Sequence, residues 1–202
     1  MPGPEPGQQW GILGGVFDPV HRGHLTLAED MRVNCKLDGV LFIPADKTPH
    51  RQLNQGASFA QRCRMLELAL ETRPAFRLDR IEREADLSGY TLDTVRELKK
   101  RYPKALFRFI IGADNLAGFK TWHRWEELLE ETGFLVGQRP GAERPDVEVF
   151  PGGRFEIVAA RQVELSSTEV REAVRAGVSL KELSEMVPEK VARYILEERL
   201  YS

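Results

Sequence analysis

Gly14-Gly15-Val16-Phe17-Asp18-Pro19-Val20-His21-Arg22-Gly23-His24-Leu25 is the stretch from which the fold can be read. An apolar run, Trp10 to Phe17, leads into it with the pattern of a short buried strand. An amphipathic run from about His24 to Lys36 leads out of it as a helix. Asp18-Pro19 turns the chain between the two. Gly14 and Gly15 have no Cβ, so a ligand or a second backbone can come close. His21 and His24 are three residues apart, which puts both imidazoles on one side of a helical turn. There the free amides and the helix dipole favour an anion. Three readings fit: a phosphate site, a metal site, or a plain strand-turn-helix capped by histidine. The pattern is neither GxGxxG nor GxxxxGK[ST], and two histidines fall short of the ligand set that zinc takes.

The same alternation continues outward. Val40 to Ile43 is a strand stopped by Pro44, and Ala57 to Thr72 has helical spacing. Phe76 to Ile81 reads as a strand, and Thr91 to Arg101 as a helix with Thr91 or Thr94 available to cap it. Leu106 to Ile111 (strand), Trp125 to Glu131 (helix) and Phe134 to Val136 (strand) follow. This is an α/β pattern, expected to give a parallel sheet with helices on both faces. The last third changes character: after Glu156 to Ala160, helices are expected over Ser167 to Ala176 and Pro188 to Leu200. No linker divides the chain. Residues 10–202 are expected to form one domain with a small helical C-terminal portion, and the Pro/Gly-rich residues 1–9 a flexible tail.

Composition narrows the classes. The 202 residues are 42% hydrophobic and 30% charged, ordinary for a soluble domain. A net charge of -2 gives no global field for nucleic acid or an acidic membrane surface, so neither is expected as a partner. Anionic ligands must then be held by local groups. Cys35 and Cys63 form no CxxC pair or disulfide framework, which suits a reducing cytoplasm. The start, MPGPEPGQQ, has no charged n-region or apolar h-region, and no apolar run approaches a membrane span.

A second constellation lies far along the chain. In Glu164-Leu165-Ser166-Ser167-Thr168-Glu169-Val170-Arg171, hydroxyls gather at a helix start with Glu169 in its first turn. Arg171 follows with a planar fork suited to phosphate oxygens. Taken alone, this also reads as an N-capped surface helix. Three more stretches bear chemistry: Gly89-Tyr90-Thr91-Leu92-Asp93-Thr94 before a helix, Ile110-Ile111-Gly112-Ala113-Asp114 at a strand end, and Phe119-Lys120-Thr121-Trp122 with an indole face.

His21-Arg22-Gly23-His24 resembles the HxGH motif of a nucleotidyltransferase superfamily, and Ser166-Ser167-Thr168 with Arg171 resembles its SSTxxR motif. The GYTxDT, IIGAD and FxxW stretches are similar to those of the bacterial nicotinate mononucleotide adenylyltransferases. So are Pro49-His50-Arg51, Gln138-Arg139-Pro140-Gly141, and the ending Val191 to Ile195 with Leu200-Tyr201. The resemblance runs from about Gly11 to Tyr201. It implies a Rossmann-like domain that joins ATP to nicotinate mononucleotide, with release of pyrophosphate, in NAD biosynthesis. It also implies an ATP site of Gly14, Gly15, Phe17, His21, Gly23, His24, Ser166, Ser167, Thr168 and Arg171. Among these, His24 would meet the α-phosphate, His21 would orient the triphosphate, and Arg171 and Ser167 would hold the leaving pyrophosphate. The acceptor would meet His50, Tyr90, Thr91, Asp114, Trp122 and Arg139. Magnesium would arrive with ATP, with no metal site of the protein's own, and Asp18 would be a turn residue. Nicotinamide mononucleotide, another phosphate-bearing acceptor, a non-catalytic nucleotide-binding module and homo-oligomerisation stay open.

Overall fold

The computed structural model describes residues 3–47, 56–138, 141, 143–161 and 163–202. Strands β1 (Gln9–Gly15), β2 (Gly39–Pro44), β3 (Phe76–Leu78), β4 (Leu106–Gly112), β5 (Gly133–Gln138) and β6 (Phe155–Ala159) form one sheet, ordered β3-β2-β1-β4-β5-β6. All neighbouring pairs are parallel. The α/β expectation is met. The order reverses between β1 and β4, and in an open parallel sheet such a switch point opens a crevice at the carboxyl ends of the strands.

Alternation along each strand supplies both faces with apolar groups. Leu13, Val40, Phe42, Ile110, Leu135 and Val158 enter one core, under α1 (Arg22–Asn34), α2 (Phe59–Leu70) and the C-terminal helices α6 (Ser167–Arg175), α7 (Leu180–Met186) and α8 (Glu189–Glu197). Trp10, Ile12, Leu41, Ile43, Phe109, Ile111 and Phe134 enter the other, under α3 (Ile81–Glu84), α4 (Thr91–Arg101) and α5 (Trp125–Glu131). Phe134 is fully buried, so Phe134→Ala is expected to cost about 3–5 kcal/mol through lost transfer energy and a cavity.

Several boundaries differ from expectation, each for a local reason. The first strand stops at Gly15 and not Phe17, because Phe17 takes a left-handed φ of 52° that no strand can contain. The following helix begins at Arg22, with His21 as its N-cap residue. The strand at Phe76 ends at Leu78, since the Ile81 amide donates to Asp79 Oδ1 and starts the short α3 instead. Neither Thr91 nor Thr94 caps α4. The cap residue is Tyr90, and the Thr94 hydroxyl donates to Glu82 at 2.9 Å. Helix α7 was not expected; its signal was Ser179 followed by Glu182, a reciprocal capping box. Of the amino-terminal nine residues, Pro4 is buried and the Gly7 amide donates to the Lys104 carbonyl at 2.8 Å. Among the described residues no helix is long and apolar enough to cross a membrane.

Candidate active site

The two histidines lie where β1 delivers the chain to α1. Their rings are 3.7 Å apart at 33°, and the His21 amide donates to His24 Nδ1 at 3.2 Å. A neutral imidazole that accepts at Nδ1 carries its proton on Nε2, so His24 keeps Nε2–H as a donor for a ligand. Burial holds the His24 imidazole well below its usual range, and neighbouring His21 adds to that. Burial likewise pushes His21 down to about 4, against a smaller upward pull from Glu169. Both rings are therefore neutral at pH 7. His21 Nδ1 is buried without a protein partner among the described residues.

Phe17 was expected in the ATP site. Its side chain is only 2% exposed, packs edge-on to His24 at 5.0 Å, and lines neither of the cavities described below. Its ring supports the histidine. The left-handed backbone of so bulky a residue is a local strain that surrounding packing must hold.

Helix α6 lies beside this loop. Ser166 and Glu169 close a capping box, with the Ser166 amide donating to Glu169 Oε2 at 2.6 Å and the Glu169 amide to Ser166 Oγ at 3.2 Å. Ser167 Oγ donates to the Pro19 carbonyl at 2.9 Å. Arg171 donates to the Asp18 carbonyl at 2.7 Å and to Thr168 Oγ1 at 3.2 Å. Helix α6, distant in sequence, is thus bonded to the turn that leads into His21. A Cβ on Gly23 would sit 3.0 Å from His21 ring atoms and 3.5 Å from the Leu165 carbonyl, tighter on the ring side than most real contacts.

Two cavities open at this edge of the sheet. The first, about 340 Å³, is lined by Gly14, Gly15, His24, Glu82, Thr91 and Trp122, among others. The second, about 380 Å³, is lined by His21, Gly23, His24, Asp114, Gly137 and Leu165, among others. His24 belongs to both walls, as do Leu27 and Gly112. Trp122 is half-buried, stacked on Phe119 at 5.1 Å and edge-on to Phe109 at 6.2 Å. Thr91 is the first residue of α4, whose free amides face an anion favourably. Tyr90 stacks on His123 at 4.1 Å. Asp114, expected on the acceptor side, lines the second cavity. His50 and Arg139 lie outside the described residues.

Four supports escaped the sequence reading. Glu82 is buried in the first cavity's wall, accepting from Thr94 Oγ1 at 2.9 Å and the Asp46 amide at 3.1 Å, and burial pushes its carboxyl up. Arg62, 2% exposed, donates to the carbonyls of Val16 at 2.6 Å and Ala45 at 2.8 Å, joining the loops after β1 and β2. Asp30 of α1 holds Arg161, a wall of the second cavity, through its amide at 2.6 Å and Nε at 2.8 Å. Tyr201 donates to Asp18 Oδ1 at 2.7 Å. The signal for Arg62 and Asp30 was a charged residue in an apolar pattern, which periodicity discounts.

A parallel α/β domain with neutral imidazoles, hydroxyls and guanidinium groups gathered beside its switch point defines a nucleotide-binding protein of the transferase kind. The cytidylyltransferase-like family model matches residues 12–173. The chain is 41% identical over 192 residues to the probable nicotinate-nucleotide adenylyltransferase of Exiguobacterium sibiricum, covering 95% of this chain and 98% of the relative. It is 35% identical over 213 residues to the one from Geobacter metallireducens, covering 95% and 97%. The chain belongs to the cytidylyltransferase-like family and, within it, to the nicotinate-nucleotide adenylyltransferases. Its fold matches the Plasmodium falciparum nicotinic acid mononucleotide adenylyltransferase solved with NaAD, with TM-score 0.79 and 17% identity over 96% of this chain and 97% of that one.

Proposed function

We propose that the protein transfers the adenylyl group of ATP to nicotinate mononucleotide, forming nicotinate adenine dinucleotide and pyrophosphate as a cytoplasmic step of NAD biosynthesis. The observation that carries this reading is the place of His24, on the shared wall of two cavities of about 340 and 380 Å³. A transfer between two nucleotides needs two pockets meeting at one phosphorus, with a donor at the meeting point. The relatives' names support the same acceptor.

In this reading the first cavity takes the mononucleotide. Its ring lies against Trp122, and its ring carboxylate meets Thr91 and the amides at the start of α4. The second cavity takes ATP, with Gly23 and His21 beside the triphosphate, and Asp114 in reach of ribose hydroxyls. The acceptor phosphate, whose second pKa is about 6, is largely dianionic at neutral pH and needs no general base. One of its oxygens attacks the α-phosphorus. A P–O bond forms, the bond from the α-phosphorus to the bridging oxygen breaks, and pyrophosphate leaves with that electron pair. His24 Nε2–H donates to the α-phosphoryl oxygens as charge concentrates there, a contribution that grows toward the transition state. Arg171, Ser167 and Thr168 accompany the pyrophosphate.

The donor set fits phosphate oxygens: it is neutral or cationic and rich in N–H and O–H groups. Magnesium that accompanies ATP would neutralise phosphate charge while held mainly by phosphates and water. Among the described residues no group of three or more His, Cys, Asp or Glu is placed to hold a metal ion. Pyrophosphate release with ATP and each of nicotinate and nicotinamide mononucleotide tests activity and acceptor together. Release with the acid is expected to exceed release with the amide; equal or inverted rates would overturn the acceptor assignment.

A further inference from the structure

We propose that the stacked rings of Tyr90 and His123 form a clasp that sets the width of the first cavity, making His123 a positioning residue for the acceptor and not for ATP. This rests on the reading of that cavity as the acceptor site.

The rings lie 4.1 Å apart at 21°, bridging two segments distant in sequence. On one side, Gly89 and Thr91 line the cavity, while Tyr90 between them is not among its lining residues. Gly89 takes a φ of 86°, a conformation that residues with side chains rarely adopt, and the turn it makes leads into Tyr90. On the other side, Trp122 lines the cavity and His123 follows it directly. Each partner of the stack is thus covalently next to a cavity wall. A change in the spacing of the rings changes the gap between Thr91 and Trp122, where the acceptor's ring and carboxylate would be held.

The stack is not what joins the two helices it precedes. Arg96 of α4 already pairs with Glu127 and Glu131 of α5, at 2.9 Å each. Those ion pairs lie away from the cavity and keep α4 and α5 together whatever occupies position 123. His123 is itself exposed, so its removal opens no hole in the core. The second cavity has none of residues 89–91 or 122–124 in its lining. A loss at the clasp should therefore be felt by one substrate only.

The test is steady-state kinetics on the full chain with both substrates varied, using His123→Ala, His123→Phe and Tyr90→Leu. Removing one ring of an aromatic pair is expected to raise KM for nicotinate mononucleotide about three- to ten-fold. KM for ATP and kcat should stay within about two-fold, as expected when uniform binding is lost. His123→Phe, which keeps a ring, should restore the acceptor KM, and Tyr90→Leu should match His123→Ala. Unchanged acceptor KM in His123→Ala would overturn the clasp, as would equal rises for both substrates or failure of His123→Phe to rescue. Calorimetric titration of nicotinate mononucleotide into each folded variant gives the same comparison without turnover. A wild-type protein that neither binds nor uses this acceptor would instead overturn the proposed function, a distinct outcome.

Discussion

Tyr201 reaches back across 183 positions to donate its hydroxyl to Asp18 Oδ1 at 2.7 Å. The same carboxylate oxygen accepts the Ala57 amide at 2.9 Å, and the Asp18 carbonyl accepts from Arg171 at 2.7 Å. Asp18 therefore ties together the loop after β1, the start of α2, helix α6 and the end of the chain. Burial, and secondarily the Asp18 charge, push the Tyr201 phenol up, so it stays protonated and donating throughout the working range. Tyr201→Phe removes one hydrogen bond to a charged group and is expected to cost about 1.5–3 kcal/mol in denaturant unfolding. Because Asp18 leads directly to the histidine loop, kcat/KM should fall as well. Unchanged stability and activity would show that the contact holds nothing.

Two buried neutral histidines make the protein's stability depend on pH in a defined direction. Burial puts His21 at about 4, below the unfolded value of 6.5, so between these values the unfolded chain binds more protons than the folded one. Stability is then fully present above about pH 6.5 and is lost as pH falls toward 4, by up to about 1.4 kcal/mol per pH unit for each such group. His24, shifted the same way, adds to the loss. Buried Glu82 and Asp79, whose carboxyls burial pushes up, act in the opposite sense. Unfolding of His21→Asn beside the wild type between pH 4 and 7 isolates the histidine; a flatter slope in the variant is expected.

Arg171 combines two roles that substitution can separate. Its bond to the Asp18 carbonyl anchors α6 to the loop, its bond to Thr168 Oγ1 fixes the guanidinium, and in the proposed reading its further N–H groups meet phosphate. Arg171→Lys keeps the charge but loses the fork. KM for ATP is expected to rise roughly ten-fold, about 1.4 kcal/mol, with a smaller change for the acceptor. A variant that changes only the acceptor KM would contradict a role for Arg171 at the phosphates of ATP.

The sheet was legible because short continuous apolar runs alternated with amphipathic stretches, and burial on both faces is what such runs imply. The helix starts that carry His21, His24, Ser167 and Arg171 were legible because short motifs carry their own local geometry. What was hidden depends on tertiary contact. Nothing local marks Glu82 as buried, since its partners, the Thr94 hydroxyl and the Asp46 amide, come from other elements. The packing of the Phe17 ring against His24 was hidden too, because a motif does not say which way each side chain points. Helix α7 was missed because seven residues carry too little periodicity to outweigh a loop reading, although its capping box was there.

Glu82→Gln tests whether that buried carboxylate shapes the acceptor cavity. The glutamine oxygen can still accept from Thr94, but its NH2 cannot accept from the Asp46 amide. One buried donor is left unpaired, at a cost of about 1–3 kcal/mol in unfolding free energy. KM for the mononucleotide should rise more than KM for ATP, because Glu82 lines the first cavity and is absent from the second. Equal effects on both substrates would assign Glu82 to general stability alone.

The central claim is that His24 stands at the phosphorus where the two nucleotides meet. Its most direct measurement is pyrophosphate release from ATP and nicotinate mononucleotide by wild type and His24→Ala, with near-UV circular dichroism confirming that both are folded. Removing a donor aimed at charge developing in the transition state is expected to lower kcat roughly 10²–10³-fold. A folded His24→Ala protein that turns over at a near wild-type rate would contradict the account.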